Sequence, residues 1–247
     1  MGAFKLAAKP FRKGAEFFIL HLKFFILRLK YETQQLNAAP LLELHYLPCI
    51  QYFSKLASYK VVYIEQQEHY QKGSYRNRCH IAGANGLLRL SIPLRRGKNE
   101  QQGIREVEIA YKEAWQAHHW ASIRSAYGNA PFFEFYAGYL QPHFEQKTTH
   151  LFDFSLGLLQ ALAELLQLDC ELRLTENYSK ETPENTLDLR DAIHPKKHRR
   201  QADRHFQSVS YPQVFLEKHG FLPNLSILDL LFCTGPQAGL ILEESFV

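Results

Sequence analysis

Hydrophobic positions fall into a regular order after residue 40. The run LLELHY (41–46) has the length of a buried strand, CIQYFSKLA (49–57) carries apolar residues at helical spacing, and KVVYIE (60–65) reads as a second strand. Strand, crossing helix and strand make a β-α-β unit. RNRCHIA (76–82) and LLRLSIPL (87–94) flank Asn85-Gly86, a hairpin signal. Leu88, Leu90, Ile92 and Leu94 alternate there with Arg89, Ser91 and Pro93, as on a half-buried strand. Arg95 to Gly103 is a charged loop. IREVEIA (104–110) alternates again, so one sheet is expected to hold all of these strands.

The period then changes to that of helices. KEAWQAHHWASIRSAY predicts a helix from near Tyr111 that stops at Gly128. FFEFYAGYLQPHF, opened by Pro131, predicts a second helix. LFDFSLGLLQALAELLQL (151–168) predicts a third, with Leu151, Phe154, Leu158, Leu162 and Leu165 on one stripe. ELRLTE (171–176) reads as a strand, and 177–210 is polar, a long loop or a flap. YPQVFLE (211–217) and NLSILDLLF (224–232), the latter capped by Asn224 or Ser226, close the chain as strand and helix. The expected fold class is α/β, a mixed sheet starting with a β-α-β unit plus a β-hairpin, followed by a helical middle section and a C-terminal strand-helix. No internal repeat appears at solenoid spacing.

Residues 1–40 form a leader with a basic patch (Lys9, Arg12, Lys13) and the stretch FFILHLKFFILRLK at 17–30. His21, Lys23, Arg28 and Lys30 interrupt a run that would need about 20 mostly apolar residues to span a bilayer. On a helix those basic residues do not share one face, which weakens an interfacial anchor. Two readings stay open for the leader, a disordered extension or a mis-assigned start. Residues 41–247 are expected to form a single domain.

With 29 basic and 25 acidic residues, the net charge of +4 is too balanced for a protein built around nucleic acid, so any basic site must be local. Cys49, Cys79, Cys170 and Cys233 form no C-x-x-C pair and are read as reduced thiols of a cytoplasmic protein. P-loop, G-x-G-x-x-G, G-x-S-x-G and kinase signatures are absent, and neither His nor Cys spacing suggests a metal. No cofactor and no metal are therefore expected.

Several strings in fixed order carry a family resemblance: HYLPCIQYFSKL (45–56), VYIEQQEHYQKGSYRNRCHIAGANG (62–86), LRLSIPL (88–94), W-x-x-x-H-W (115–120), SAYGNAPFFEFY (125–136), LFDF (151–154), DLRDAIHPKK (188–197) and YPQVFLEKHGFLPNLSILDLLFCTGP (211–236). Together they resemble the WbqC-like family over about residues 41 to 236, as a shorter variant. Cys49 stands where many relatives have tryptophan in a Q-P-N-Y-L-P-W motif, so any role of that tryptophan is absent here. The resemblance implies O-antigen and related surface-polysaccharide biosynthesis, with acyl or aminoacyl transfer to an amino sugar as one conjecture.

Glu65, Tyr70, Lys72, Tyr75, Arg76, Asn77 and Arg78 follow the second strand, where open α/β sheets form binding crevices. Two arginines and a lysine within seven residues suit a phosphate or carboxylate. The same residues also make an ordinary solvated hairpin edge. Arg76 and Arg78 share a face if the strand has already begun, with Asn77 on the other. His118, with Trp115 at i−3, is the candidate general base, against a structural histidine beside an aromatic cluster. His119 must face about 100° away. Tyr127 is the member of the aromatic string set apart for a site. Asp229, inside an apolar helix, needs a partner, with Arg76 or Arg78 as the choice. Glu65 and Asp229 join His118 as catalytic candidates. The family string adds Arg190, His194 and Lys196 as substrate-binding residues of a flap.

Two functions compete. One is an enzyme on a small anionic substrate, a nucleotide sugar foremost, with possible acyl transfer left to the family analogy. The other is a non-catalytic module that holds RNA or a partner protein on the same basic surface, with nucleic acid the less favoured partner. Oligomeric state is not legible.

Overall fold

Two short strands of the predicted β-α-β unit lie side by side in a computed structural model that describes residues 38–95, 102–179 and 186–247. The expectations for the leader up to residue 37 and for the middle of the charged loop, 96–101, lie outside the described residues. Strand β1 (Ala39–Glu43) pairs in parallel with β2 (Val61–Glu65), with Leu42 opposite Ile64 and Glu43 opposite Glu65. Helix α1 (Ile50–Ser58) crosses between them, with residues 50 to 56 all buried. It starts after Cys49 and ends where Tyr59 N donates to Lys55 O at 3.0 Å.

The hairpin forms from β3 (Arg78–Gly83) and β4 (Gly86–Ser91). Gly83 pairs with Gly86, so the turn residues are Ala84 and Asn85, one position earlier than the sequence suggested. Gly86 then takes φ +101, a conformation open to glycine at little cost. Tyr75–Asn77 is a 3-10 turn whose N-cap Ser74 accepts from Arg76 N. The strand therefore begins only at Arg78, and Arg76 and Arg78 do not follow strand alternation together.

One sheet does not hold all the strands. β3 and β4 stand apart from a four-stranded parallel sheet in which β2 and β1 are the central pair. IREVEIA is not a strand: Ile104–Glu106 is a 3-10 turn, and Ile109 and Glu108 make isolated bridges to Leu94 and His150. Strand β5 (Glu171–Leu174) lies against β2, and β6 (Thr186–Asp188) against β1. β6 lies inside the stretch read as loop, too short and polar to show in the pattern.

The helical section comprises α2 (Trp115–Tyr127), α3 (Phe133–Glu145) and α4 (Leu151–Leu165). At the end of α2 a Cβ on Gly128 would come within 2.7 Å of Arg124 O, which only glycine avoids. The YPQVFLE segment carries a short helix, α5 (Leu216–His219), in place of a strand. Helix α6 (Ile227–Thr234) is buried at every residue, and Ser226 caps it by accepting from Leu228 N. Helix α7 (Ala238–Glu244) packs on α1. In the central strands the charged residue stands at the carboxyl end, Glu43 in β1 and Glu65 in β2.

Candidate active site at the strand ends

Because all four strands are parallel, their carboxyl ends face the same way. Glu43 ends β1, Glu65 ends β2, Thr175 follows β5 and Asp188 ends β6. Two arginines bind this row of acids together.

Arg76 is the centre of the first group and is 1% exposed. Its Nε donates to Glu68 Oε1 at 2.7 Å, its Nη2 to Glu68 Oε2, and its Nη1 to Asp191 Oδ1 at 3.2 Å. Glu43 Oε1 lies 4.0 Å from Nη1 and pairs with His45 Nε2 at 2.9 Å. The other Glu43 oxygen accepts Asp191 N at 3.0 Å, while Gln71 Nε2 donates to Asp191 Oδ2 at 2.8 Å. Asp191 adopts φ +59, a left-handed conformation that aspartate tolerates.

Arg190 organises the second group. Its Nε and Nη2 hold Asp188, at 3.0 Å to Oδ1 and 2.6 Å to Oδ2, and its Nη1 reaches Glu65 Oε2 at 3.1 Å. Glu65 Oε1 also accepts Thr175 Oγ1 at 2.7 Å and Gln67 N at 2.8 Å. The Tyr178 ring covers the guanidinium at 5.2 Å.

The surroundings of Glu43 and Glu68 pull their proton affinities apart. Burial works to raise Glu43, but the charge and hydrogen bond of His45, with Arg76, outweigh it and hold the carboxyl at about 2. Burial dominates at Glu68 and lifts it to about 7, with Glu43 and Asp191 adding and Arg76 opposing. A permanent carboxylate thus sits beside one able to exchange a proton at neutral pH.

Two histidine nitrogens in this region are buried without a partner, His45 Nδ1 and His194 Nε2. Glu43 fixes His45 from one side, and the rings of Tyr52 and Tyr75 lie 4.9 and 5.4 Å away. His194 Nδ1 accepts Lys196 N at 3.0 Å, which leaves the proton of the neutral ring on Nε2. The segment 189–200 roofs the group, tied down by Leu189 N to Leu41 O at 2.9 Å and by Asp191 N to Glu43. Asp191, 39% exposed, stands at its edge. Lys196 packs over Gly73, whose φ is +85; a Cβ there would meet its Nζ at 3.6 Å.

The structure brings together Glu65, Arg76, Arg190 and His194, with Tyr75 as a wall and Lys196 on the roof. Lys72 is exposed. Tyr70 is buried, its N bonded to Gln102 O, and Asn77 Nδ2 ties the hairpin to Ile92 O at 2.9 Å. Arg78 lies outside the acid group, on the hairpin's outer face.

His118 is exposed, whereas His119 is the buried histidine of α2. Trp115 packs on His119, one full turn on, and not on His118. His119 Nδ1 shares a 2.8 Å hydrogen bond with Tyr46 Oη, and burial lowers its pKa to about 4. A hollow of about 310 Å³ lies one turn beyond His118, between Ala121, Ser122 and Ser125 of α2 and Gly83, Ala84 and Leu88 of the hairpin. None of the acid group or of the basic turn lines it.

Asp229 is fully buried and pairs with neither Arg76 nor Arg78. It accepts Tyr127 Oη at 2.9 Å, Tyr211 Oη at 2.7 Å and Gln213 Nε2 at 2.9 Å. Tyr127 Oη also accepts Ala82 N at 3.1 Å, so this network fastens α2, β3 and α6 together.

Glu43, His45, Glu68 and Asp191 were not singled out as site residues from sequence. A signal existed in LLELHY: a glutamate two residues before a histidine at the end of a buried strand places both on one side and obliges the acid to find a partner. Cys49 and Cys79 are buried, and burial raises both thiols, Cys49 to about 11, far from a thiolate nucleophile. Among the described residues no group of three or more His, Cys, Asp and Glu is placed to hold a metal ion, and no helix is long and apolar enough to cross a membrane.

Fold and site define a parallel α/β protein with an arginine-bridged carboxylate centre at its strand ends. The WbqC-like protein family matches residues 44–203, and the chain belongs to that family. An uncharacterized protein of Mycobacterium tuberculosis, Rv1507c, is similar, 26% identical over 218 residues that cover 80% of this chain and 94% of the relative. No solved structure matches the chain.

Proposed function

We propose that this WbqC-like protein is an enzyme of bacterial surface-polysaccharide biosynthesis that acts on an anionic, nucleotide-activated amino sugar. The observation that carries the enzyme reading is the convergence of Glu43, Glu68 and Asp191 on Arg76, beside a His45 whose second nitrogen is unpartnered. With Nε2 held by Glu43, Nδ1 is the ring nitrogen of His45 left to take a proton. In this reading the family analogy supplies the reaction, acyl or aminoacyl transfer from an activated ester or thioester. The amine nitrogen attacks the acyl carbon, a carbon–nitrogen bond forms and the bond to the leaving group breaks. His45, oriented by Glu43, takes the amine proton, and Glu68 gives one to the leaving atom. Arg76 and Arg190 position the carboxylates. Access to the centre comes by displacement of the 189–200 roof at Asp191.

Thermal melting with a panel of nucleotide sugars, followed by product analysis with an acyl donor, tests the proposal. Stabilisation by one member and turnover lost in His45→Gln and Glu68→Gln are expected. No shift with any member, together with an unchanged metabolite profile in a deletion strain, would discard it.

A further inference from the structure

The outer face of the hairpin carries charge that no described carboxylate neutralises. Arg78 and His80 stand two residues apart on β3 and project to one side. Their cross-strand partners are Ser91 and Arg89. Arg200 comes to the same place from the roof segment, near enough for its charge to act on both Tyr75 and His80. Its Nε donates to His194 O at 2.7 Å and its Nη2 to Pro195 O at 3.4 Å, both neutral acceptors. Among the described residues the arginine ion pairs involve other arginines, at positions 76, 95, 105, 173 and 190. Arg78 Nε and Ser91 Oγ are buried and have no hydrogen-bond partner.

Like charges brought together on one hairpin face cost stability, and so do buried polar atoms left unpaired. His80 shows the crowding: burial first, then Arg78, Arg89 and Arg200, hold its imidazole below the usual histidine range. An anion at this spot would satisfy the free donors and reverse the repulsion.

We propose that Arg78, His80, Arg89 and Arg200, with Ser91 Oγ, form a phosphate-binding subsite that takes the diphosphate of an activated substrate. Assignment of the diphosphate to a nucleotide sugar rests on the function proposed above; the subsite itself does not. Its compactness favours a small ligand, because the cations surround one imidazole and do not line a track such as single-stranded RNA follows. It also adjoins the acid centre, since the Tyr75 ring lies 5.4 Å from His45 on one side and 5.4 Å from His80 on the other. A diphosphate held here leaves the sugar one ring-width from the Glu43–His45 pair.

Calorimetric titration of the full chain with inorganic pyrophosphate, and a retention assay with a short single-stranded RNA over a salt series, test the assignment. Pyrophosphate should bind the wild type, and Arg89→Ala and Arg200→Ala should each weaken it about tenfold, the worth of one charge-assisted hydrogen bond. Both side chains are exposed, so the fold should survive, which the unliganded melting curve checks. Glu68→Gln should bind pyrophosphate like the wild type, so a failure of the catalytic reading and a failure of the subsite give different results. No binding by the wild type, unchanged affinity in both arginine variants, or RNA held more tightly than pyrophosphate by the same arginines would each overturn the subsite.

Discussion

Arg76 and Glu68 meet through two parallel hydrogen bonds, one from Nε at 2.7 Å, and the same guanidinium is shared with Asp191 and Glu43. The residue that looks from sequence like a surface clamp for phosphate is thus an internal counter-ion. Its charge is already committed to the chain's own carboxylates.

Removal of that counter-ion should be costly. Arg76→Met leaves three acids close together in a buried place, and breaking such a pair costs about 3–5 kcal/mol. Urea unfolding should show a loss of that size at pH 7. Arg76→Lys should restore only part of it, since a point charge cannot reproduce the fork.

Stability should depend on pH through Glu68 with an unusual sign. Its folded pKa of about 7 lies above the ordinary 4.5, so the folded state keeps a proton that the unfolded chain has released. Its contribution is therefore present below about 4.5 and lost as pH rises to about 7. Glu43 acts oppositely, since its carboxyl at about 2 adds stability as pH rises from about 2 to 4.5. The difference between wild type and Glu68→Gln in urea midpoints across pH 4 to 8 isolates the first effect. A flat difference would show that Arg76 keeps Glu68 ionised throughout.

Asp229 should behave as a structural residue. Asp229→Ala strands the donors of Tyr127, Tyr211 and Gln213 in the core, each unpaired group costing about 1–3 kcal/mol. The variant should be severely destabilised. The double change Tyr127→Phe with Tyr211→Phe keeps Asp229 but leaves Gln213 Nε2 as its remaining side-chain donor and strips Ala82 N of its acceptor, so it should also lower the melting temperature. Thermal melting of both variants distinguishes this from a catalytic role.

Lys55 is another buried cation, with its Nζ 2.9 Å from Asp203 Oδ2, 2.6 Å from His205 O and 5.1 Å from the Phe246 ring centre. It holds the chain beyond the roof onto α1, and His205 in turn stacks on Phe246 at 5.6 Å. Lys55→Met should cost about 3–5 kcal/mol by stranding Asp203. Hydrogen exchange should accelerate at 203–207 and at the C-terminus before it changes in β1 and β2.

The sequence by itself determined the elements whose period is strong: the β-α-β opening, the hairpin and the three middle helices follow from apolar spacing over lengths that local physics governs. It also put Glu65 at the end of a buried strand with Arg76 in the segment that follows, as the structure has them. Only the tertiary structure decided the rest. β6, Thr186–Asp188, has too few residues to set a period and exists by pairing with β1. His119, not His118, turns inward because the face of α2 is chosen by Tyr46, Trp115 and Phe154 packed against it. Arg76 turns inward because Glu68, eight residues back, meets it together with Glu43 and Asp191, and an isolated stretch cannot reveal a charge partner such as Asp191, 115 residues away.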